Sequence, residues 1–313
     1  MTFTSPPTVS ALPLPLQGVR ILSLALNLPG PAAIMRLCAL GAQCTKVESQ
    51  LGDPMGHYNP AAYAQMHAGV QQLVLDLKTG PDRSALHTQL VQTDILLTSF
   101  RPSALRKLGL DWDSVHRSHP QLSMVCIVGS PGNRAEEPGH DLTYLAEHGL
   151  VTGTDLPATL YADMAGSLMA VEAVMQAVLL QRQPGAARPT TGQTQQGTGS
   201  YHEVALSSAA AYLALPRSWG LTQPQGAVGG AHAGYRVYPC LDGRVAVAAL
   251  EPHFAAALCR VAGVDATDRN TMVQTTTQQA FARFFANHSC LELEQIATAQ
   301  DIPLLCLPHF PSA

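Results

Sequence analysis

Short apolar runs alternate with polar, helix-spaced stretches through the first half of the chain. VRILSLAL (19–26), QCTKVES (43–49), QLVLDL (72–77), TDILLTSF (93–100) and LSMVCIVG (122–129) are brief and aliphatic, and predict five strands. Helical patterns lie between them. NLPGPAAIMRLCALGA turns at Pro29-Gly30-Pro31 into a helix that stops at Gly41, and DRSALHTQLVQ (82–92) has helical spacing. This alternation predicts an α/β fold: a doubly wound, mostly parallel, Rossmann-like sheet in a large domain. Ligands of such sheets bind beyond the carboxyl ends of the strands. The residues in those places are Pro29-Gly30-Pro31, Ser49, Lys78, Ser99-Phe100-Arg101 and Gly129.

The pattern changes in the second half. YADMAGSLMAVEAVMQAVLL opens a long apolar helix over 161–182, and the Gly-, Pro-, Thr- and Gln-rich stretch 183–199 has the composition of a hinge or exposed hairpin. SYHEVALSSAAAYLALPRSWG reads as a strand and a helix leading out of the first domain. YRVYPCLDGRVAVAAL (235–250) predicts two strands turned at Asp242-Gly243, and helical stretches such as EPHFAAALCRVAG follow. The expected organisation is a flexible arm (1–16), a large domain (17–182), a linker (183–224) and a small α+β domain (225–313).

Composition narrows the class. The 313 residues are 46% hydrophobic and 13% charged with a formal net charge of −4, which allows a substantial core and gives no global basic field for nucleic acid or an anionic membrane. Asp163, Glu172 and Gln176 interrupt the longest apolar run, so a core helix is expected rather than a membrane span. Cys38, Cys44, Cys126, Cys240, Cys259, Cys290 and Cys306 are odd in number and lack CxxC spacing, so neither a disulfide framework nor a zinc site is expected. Reduced thiols and an N-terminal stretch without a basic segment and apolar core predict a cytoplasmic protein. The chain carries no GxGxxG, P-loop, GxSxG, HxH or HExxH pattern, which argues against a nicotinamide enzyme, a P-loop NTPase, a serine hydrolase and a metal centre.

Three residues are candidates for chemistry. His140 precedes DLTYLAEHG, in which Asp141 suits an N-cap and Gly149 a stop. It is either a solvated linker residue or a base kept neutral by the positive helix end. Asp163 heads the long apolar helix, before the small residues Ala165, Gly166 and Ser167. It is either a first-turn acid offsetting orphan amides or a reactive group beside amides that bind an oxyanion. Glu251 precedes Pro252 and, alone, reads as a helix start. Lys78, Arg101, Arg106 and Lys107 cluster near strand ends, either as surface cations or as a grip on a phosphorylated ligand.

Taken in order, LPLQGVRILSLA, PGPAAIMRLCALGAQCTKVE, LVLDLK, TDILLTSFRPSALRKLGLD, PGHDLTY, YADMAGS, QGTGSYHEVAL and DGRVAVAALEPHF resemble the family III (CaiB/BaiF) CoA-transferases. They look most like the α-methylacyl-CoA racemase branch, from about Leu14 to Leu307. The resemblance implies that His140 and Asp163 are acid/base groups flanking the α-carbon of a 2-methylacyl-CoA, with Glu251 paired to the histidine. It places CoA contacts on Leu75, Asp76, Leu77 and Lys78, on Ser99, Phe100 and Arg101, on Lys107, and on Gly139, Asp141, Leu142, Thr143 and Tyr144. It implies no cofactor beyond the CoA of the substrate, and an interlocked homodimer with each site between the large domain of one subunit and the small domain of the other. Several positions depart from the family pattern. Gln71-Gln72 replace a basic pair and Ser49 stands where arginine is common, which weakens the expected grip on CoA phosphates. The connection from His140 to Asp163 is short, and the chain ends at DIPLLCLPHFPSA where relatives continue through a segment returning to the large domain.

The chemistry separates three readings. Inverting a centre next to a thioester requires a proton to leave one face and another to arrive on the opposite face, so two different groups must oppose each other. The amides after Asp163 would receive the enolate oxygen, and Glu251 would set the imidazole tautomer. In the transferase branch the same aspartate attacks an acyl-CoA and forms an aspartyl thioester with CoA, without an obligatory histidine. His140 and Glu251 together favour a racemase or epimerase over CoA transfer. A catalytically silent CoA-binding paralogue is the third reading.

Overall fold

The computed structural model describes residues 13–183, 198–265, 268 and 270–307. Most of the expected arm and of the Gly- and Pro-rich stretch after Gln183 lies outside the described residues. The chain forms two compact units, Met1–Ala214 and Leu215–Ala313.

The first unit begins with β1 (Arg20–Ser23), α1 (Pro29–Ala39), β2 (Gln43–Glu48), α2 (Pro54–Tyr58), α3 (Pro60–Met66), β3 (Gln71–Val74), α4 (Gly80–Val91) and β4 (Ile95–Thr98). It continues with α5 (Pro102–Leu108), α6 (Trp112–Ser118), β5 (Ser123–Val128), α7 (Asp141–Glu147), α8 (Tyr161–Arg182), β6 (Tyr201–Ala205) and α9 (Leu206–Leu213). The six strands are all parallel, in the order β3-β2-β1-β4-β5-β6. The order reverses between β1 and β4, which opens a crevice at their carboxyl ends.

Alternate strand residues face opposite layers. Ile21, Ile95, Leu97, Val125 and Ile127 join Ile34, Leu37 and Val174 in one core, whereas Leu22, Leu96, Met124 and Cys126 join Leu86, Leu90, Leu105 and Val115 in another. Every residue of β4 and β5 is buried, as expected of parallel strands covered on both faces. Helix α8 is long and apolar enough to cross a membrane by length and composition. Here one side of it, with Ala170, Val171, Val174, Ala177 and Val178, is buried in the first core.

Residues 201–213, read as a strand and a helix within the expected linker 183–224, complete this unit instead. β6 pairs with β5 from Met124↔Tyr201 to Val128↔Ala205, and α9 packs on α7 and α8. Without β6, the fully buried β5 would be a bare sheet edge.

The second unit contains α10 (Leu215–Ser218), β7 (Tyr235–Cys240), β8 (Gly243–Ala248), α11 (Pro252–Val261), α12 (Thr275–Ala286), α13 (Cys290–Gln300) and β9 (Leu304–Leu307). The strands form an antiparallel sheet in the order β7-β8-β9, over a core that includes Tyr238, Val245, Leu258, Phe281, Phe285 and Leu293. Cys240 pairs with Gly243, so the hairpin turns at Leu241-Asp242, one residue earlier than the Asp-Gly signal predicts.

Candidate active site

The site is assembled where α7 and α8 begin. His140 occupies the N-cap position of α7 in an extended conformation, φ −143° and ψ 169°, and its exposed ring does not cap the helix. Thr143 Oγ1 accepts its backbone N–H at 3.0 Å and donates to its carbonyl at 2.8 Å. Asp141 is therefore not the cap of its own helix. It is the first helical residue, and its buried carboxylate accepts the backbone N–H of Asp163 at 3.0 Å. Asp141 thus satisfies an orphan amide of α8 from outside that helix and ties the two helix starts together.

This arrangement corrects the expected oxyanion donors. Tyr161 N–H bonds to the Thr159 carbonyl at 3.2 Å, Met164 N–H bonds to the Leu160 carbonyl at 3.1 Å, and Asp163 N–H is held by Asp141. Helix α8 begins at Tyr161, before the aspartate, so the amides that follow Asp163 already belong to its hydrogen-bonded turns.

A cavity of about 330 Å³ opens at the carboxyl edge of the sheet, and both His140 and Asp163 line it. Asn27, Ser99, Phe100, Arg101, Gly139 and Tyr144 share its wall. Burial, and then the neighbouring Asp141 charge, push the Asp163 carboxyl up to about 6, against the opposing influence of His140. Burial and then Asp163 likewise push the Tyr144 hydroxyl up, with Arg101 opposing. Tyr144 fits between two glycines: a Cβ on Gly129 would lie 2.3 Å from its hydroxyl, and one on Gly139 would lie 2.6 Å from its ring.

A second cavity, of about 190 Å³, is lined by Ser49, Leu75, Asp76, Leu77 and Lys78. Leu26 and Phe100 line both cavities, so the two adjoin along the strand ends. Lys107, Asp141, Leu142 and Thr143 line neither. Lys107 is exposed in the last turn of α5, Asp141 is buried behind the wall, Leu142 is exposed, and Thr143 is engaged with the His140 backbone. Glu251 belongs to the second unit, where it is the exposed N-cap residue of α11 with Pro252 at the first helical position.

The sequence reading missed a support beneath this wall. Asn27 has φ 64°, a left-handed conformation uncommon outside glycine. Its N–H is accepted by both carboxylate oxygens of Asp53, at 3.1 and 3.2 Å, and Leu26 N–H is accepted by Ser99 Oγ at 2.9 Å. Asp53 is buried and paired with Lys46, itself fully buried, which also meets Glu48 at 3.1 Å. The Tyr63 hydroxyl donates to Glu48 at 2.7 Å. The available signal was a lysine in the middle of the strand QCTKVES.

The CoA-transferase family III model matches residues 16–307. The chain belongs to CoA-transferase family III. Among curated proteins, it is 33% identical over 150 residues to a cinnamoyl-CoA:phenyllactate CoA-transferase of Clostridium sporogenes, covering 44% of this chain and 36% of that enzyme. It is 26% identical over 307 residues to the α-methylacyl-CoA racemase of Mus musculus, covering 91% and 76%. It is 27% identical over 282 residues to a succinate–glutarate CoA-transferase of Agrobacterium fabrum, covering 80% and 67%. The fold matches that of a CaiB/BaiF family protein from Brucella suis with a TM-score of 0.75 at 22% identity, covering 95% of this chain and 84% of that one. A hypothetical protein of Mycobacterium tuberculosis matches with a TM-score of 0.79 at 22% identity, covering 95% and 86%. This family III chain thus has both racemases and CoA-transferases among its relatives.

Proposed function

We propose that this chain acts on acyl-CoA thioesters as a racemase or epimerase of 2-methylacyl groups, by 1,1-proton transfer. The observation that carries the reading is the presence of His140 and Asp163 on the wall of one cavity. They are two unlike acid/base groups, and the carboxyl of Asp163, held near 6, titrates close to working pH. One group removes the α-proton, the C–H electron pair moves toward the thioester carbonyl to give an enolate, and the other group protonates the opposite face. The opposite enantiomer uses the same two groups in reverse order. With the α8 amides engaged, the Tyr144 hydroxyl and the Asn27 side-chain amide are the proposed donors to the enolate oxygen.

The CoA portion would extend from this cavity into the adjoining one, with Leu75, Leu77 and Phe100 as apolar walls and Lys78 and Arg101 near the phosphates. The working species is proposed to be a homodimer. Met164, Leu168, Met175 and Leu179 form an exposed apolar face on α8, and Val237 and Leu305 are exposed on the sheet of the second unit. In that dimer, Glu251 of a second copy would hold the His140 imidazole.

A second reading is CoA transfer through an Asp163 aspartyl thioester, supported by the relatives that are named CoA-transferases. Incubation with a single enantiomer of a 2-methylacyl-CoA separates the two. The proposal expects both enantiomers to accumulate. Retention of configuration, together with a hydroxylamine-sensitive acyl adduct on Asp163, would establish transfer in its place.

A further inference from the structure

The second unit contains a group of thiols that no step above uses. Cys240 ends β7, Asp242 forms the turn, Cys290 opens α13 and Cys306 lies on β9. The ligand atoms of Cys240, Asp242 and Cys290 all lie within 4.8 Å of one another. Cys240 Sγ is 3.5 Å from Cys290 Sγ and 3.8 Å from Asp242 Oδ1, and Cys306 Sγ is 3.5 Å from the Cys290 carbonyl oxygen. Asp242 Oδ1 also accepts the Cys290 backbone N–H at 2.7 Å, which holds the turn against the start of α13.

We propose that Cys240, Asp242 and Cys290 form a binding site for a soft divalent cation of the zinc class. Tetrahedral zinc, with metal–sulfur bonds of about 2.3 Å and metal–oxygen bonds of about 2.0 Å, separates its sulfur ligands by about 3.8 Å and a sulfur–oxygen pair by about 3.5 Å. The observed separations of 3.5 and 3.8 Å lie within a few tenths of an ångström of those edges. A disulfide, at about 2.05 Å, would require the two sulfurs to close by about 1.5 Å. Cation binding requires the thiolate form and releases the thiol protons to solvent. The site would clamp the β7–β8 hairpin to α13.

Cobalt(II) titration of the full, reduced, chelator-treated chain tests the proposal. A thiolate-to-cobalt charge-transfer band should saturate at one equivalent and be bleached by zinc(II). Cys240→Ser and Cys290→Ser should lose the band, Asp242→Asn should weaken binding on the order of tenfold, and Cys259→Ser should retain it. Zinc should also protect Cys240 and Cys290, but not Cys38, from alkylation mapped by mass spectrometry, a readout that needs no variant. The proposal is overturned by the absence of a band with unprotected Cys240 and Cys290, by a band that survives in both serine variants, or by a Cys240–Cys290 disulfide in unreduced protein combined with no cobalt binding after reduction.

Discussion

Asp163 is a carboxyl group whose surroundings disfavour its charge. Its folded-state value near 6 lies above the ordinary aspartate range, so ionising it costs stability. Protonated Asp163 is fully compatible with the fold below pH 4, and that contribution is lost as pH rises through about 6. Asp163→Asn should therefore match wild type near pH 4 and exceed it at pH 8 by on the order of 2 kcal/mol, as read by urea unfolding at both pH values. Asp141→Asn keeps an oxygen to accept the Asp163 N–H but removes a negative charge beside it. In that variant the acidic limb of the pH–rate profile should move to lower pH, because Asp163 then ionises more readily. Lys46 and Asp53 form a buried ion pair. Lys46→Met leaves the Asp53 carboxylate uncompensated and should cost about 3–5 kcal/mol in the same unfolding assay.

At the level of elements, periodicity identified what local sequence controls. The five apolar runs became β1 to β5 with ends shifted by a few residues, and the long helix spans Tyr161–Arg182, the expected 161–182. The sixth strand was harder to place because SYHEVAL follows a polar Gly- and Thr-rich stretch, and only pairing with β5 reveals its membership. The role of Asp141 was hidden for a related reason. A good capping residue beside a helix start looks local, whereas its partner is the amide of another helix, 22 positions away. Asn27 depends on a carboxylate 26 residues on, and the thiol group of the second unit joins Cys240 to Cys290 across 50 residues. No spacing rule reaches such distances. His140 and Asp163 could be singled out from sequence because each stands at a helix start, but their shared cavity is a product of the fold.

For the whole molecule, the relatives include both racemases and CoA-transferases, and the proposed racemase reading rests on His140 lining the same cavity as Asp163. The exposed apolar face of α8 gives the dimer proposal its own test. Leu168→Asp combined with Leu179→Asp should shift the protein from dimer to monomer in sedimentation velocity and lower activity with it, while the far-ultraviolet circular dichroism stays unchanged. The central claim is proton transfer at the α-carbon. Its most direct test is mass-spectrometric detection of deuterium at that carbon when a 2-methylacyl-CoA is incubated with the protein in D₂O. The account predicts one deuteron incorporated per turnover by wild type, with the rate abolished in His140→Ala. Unlabelled substrate recovered from active wild-type protein, or full exchange in His140→Ala, would contradict it.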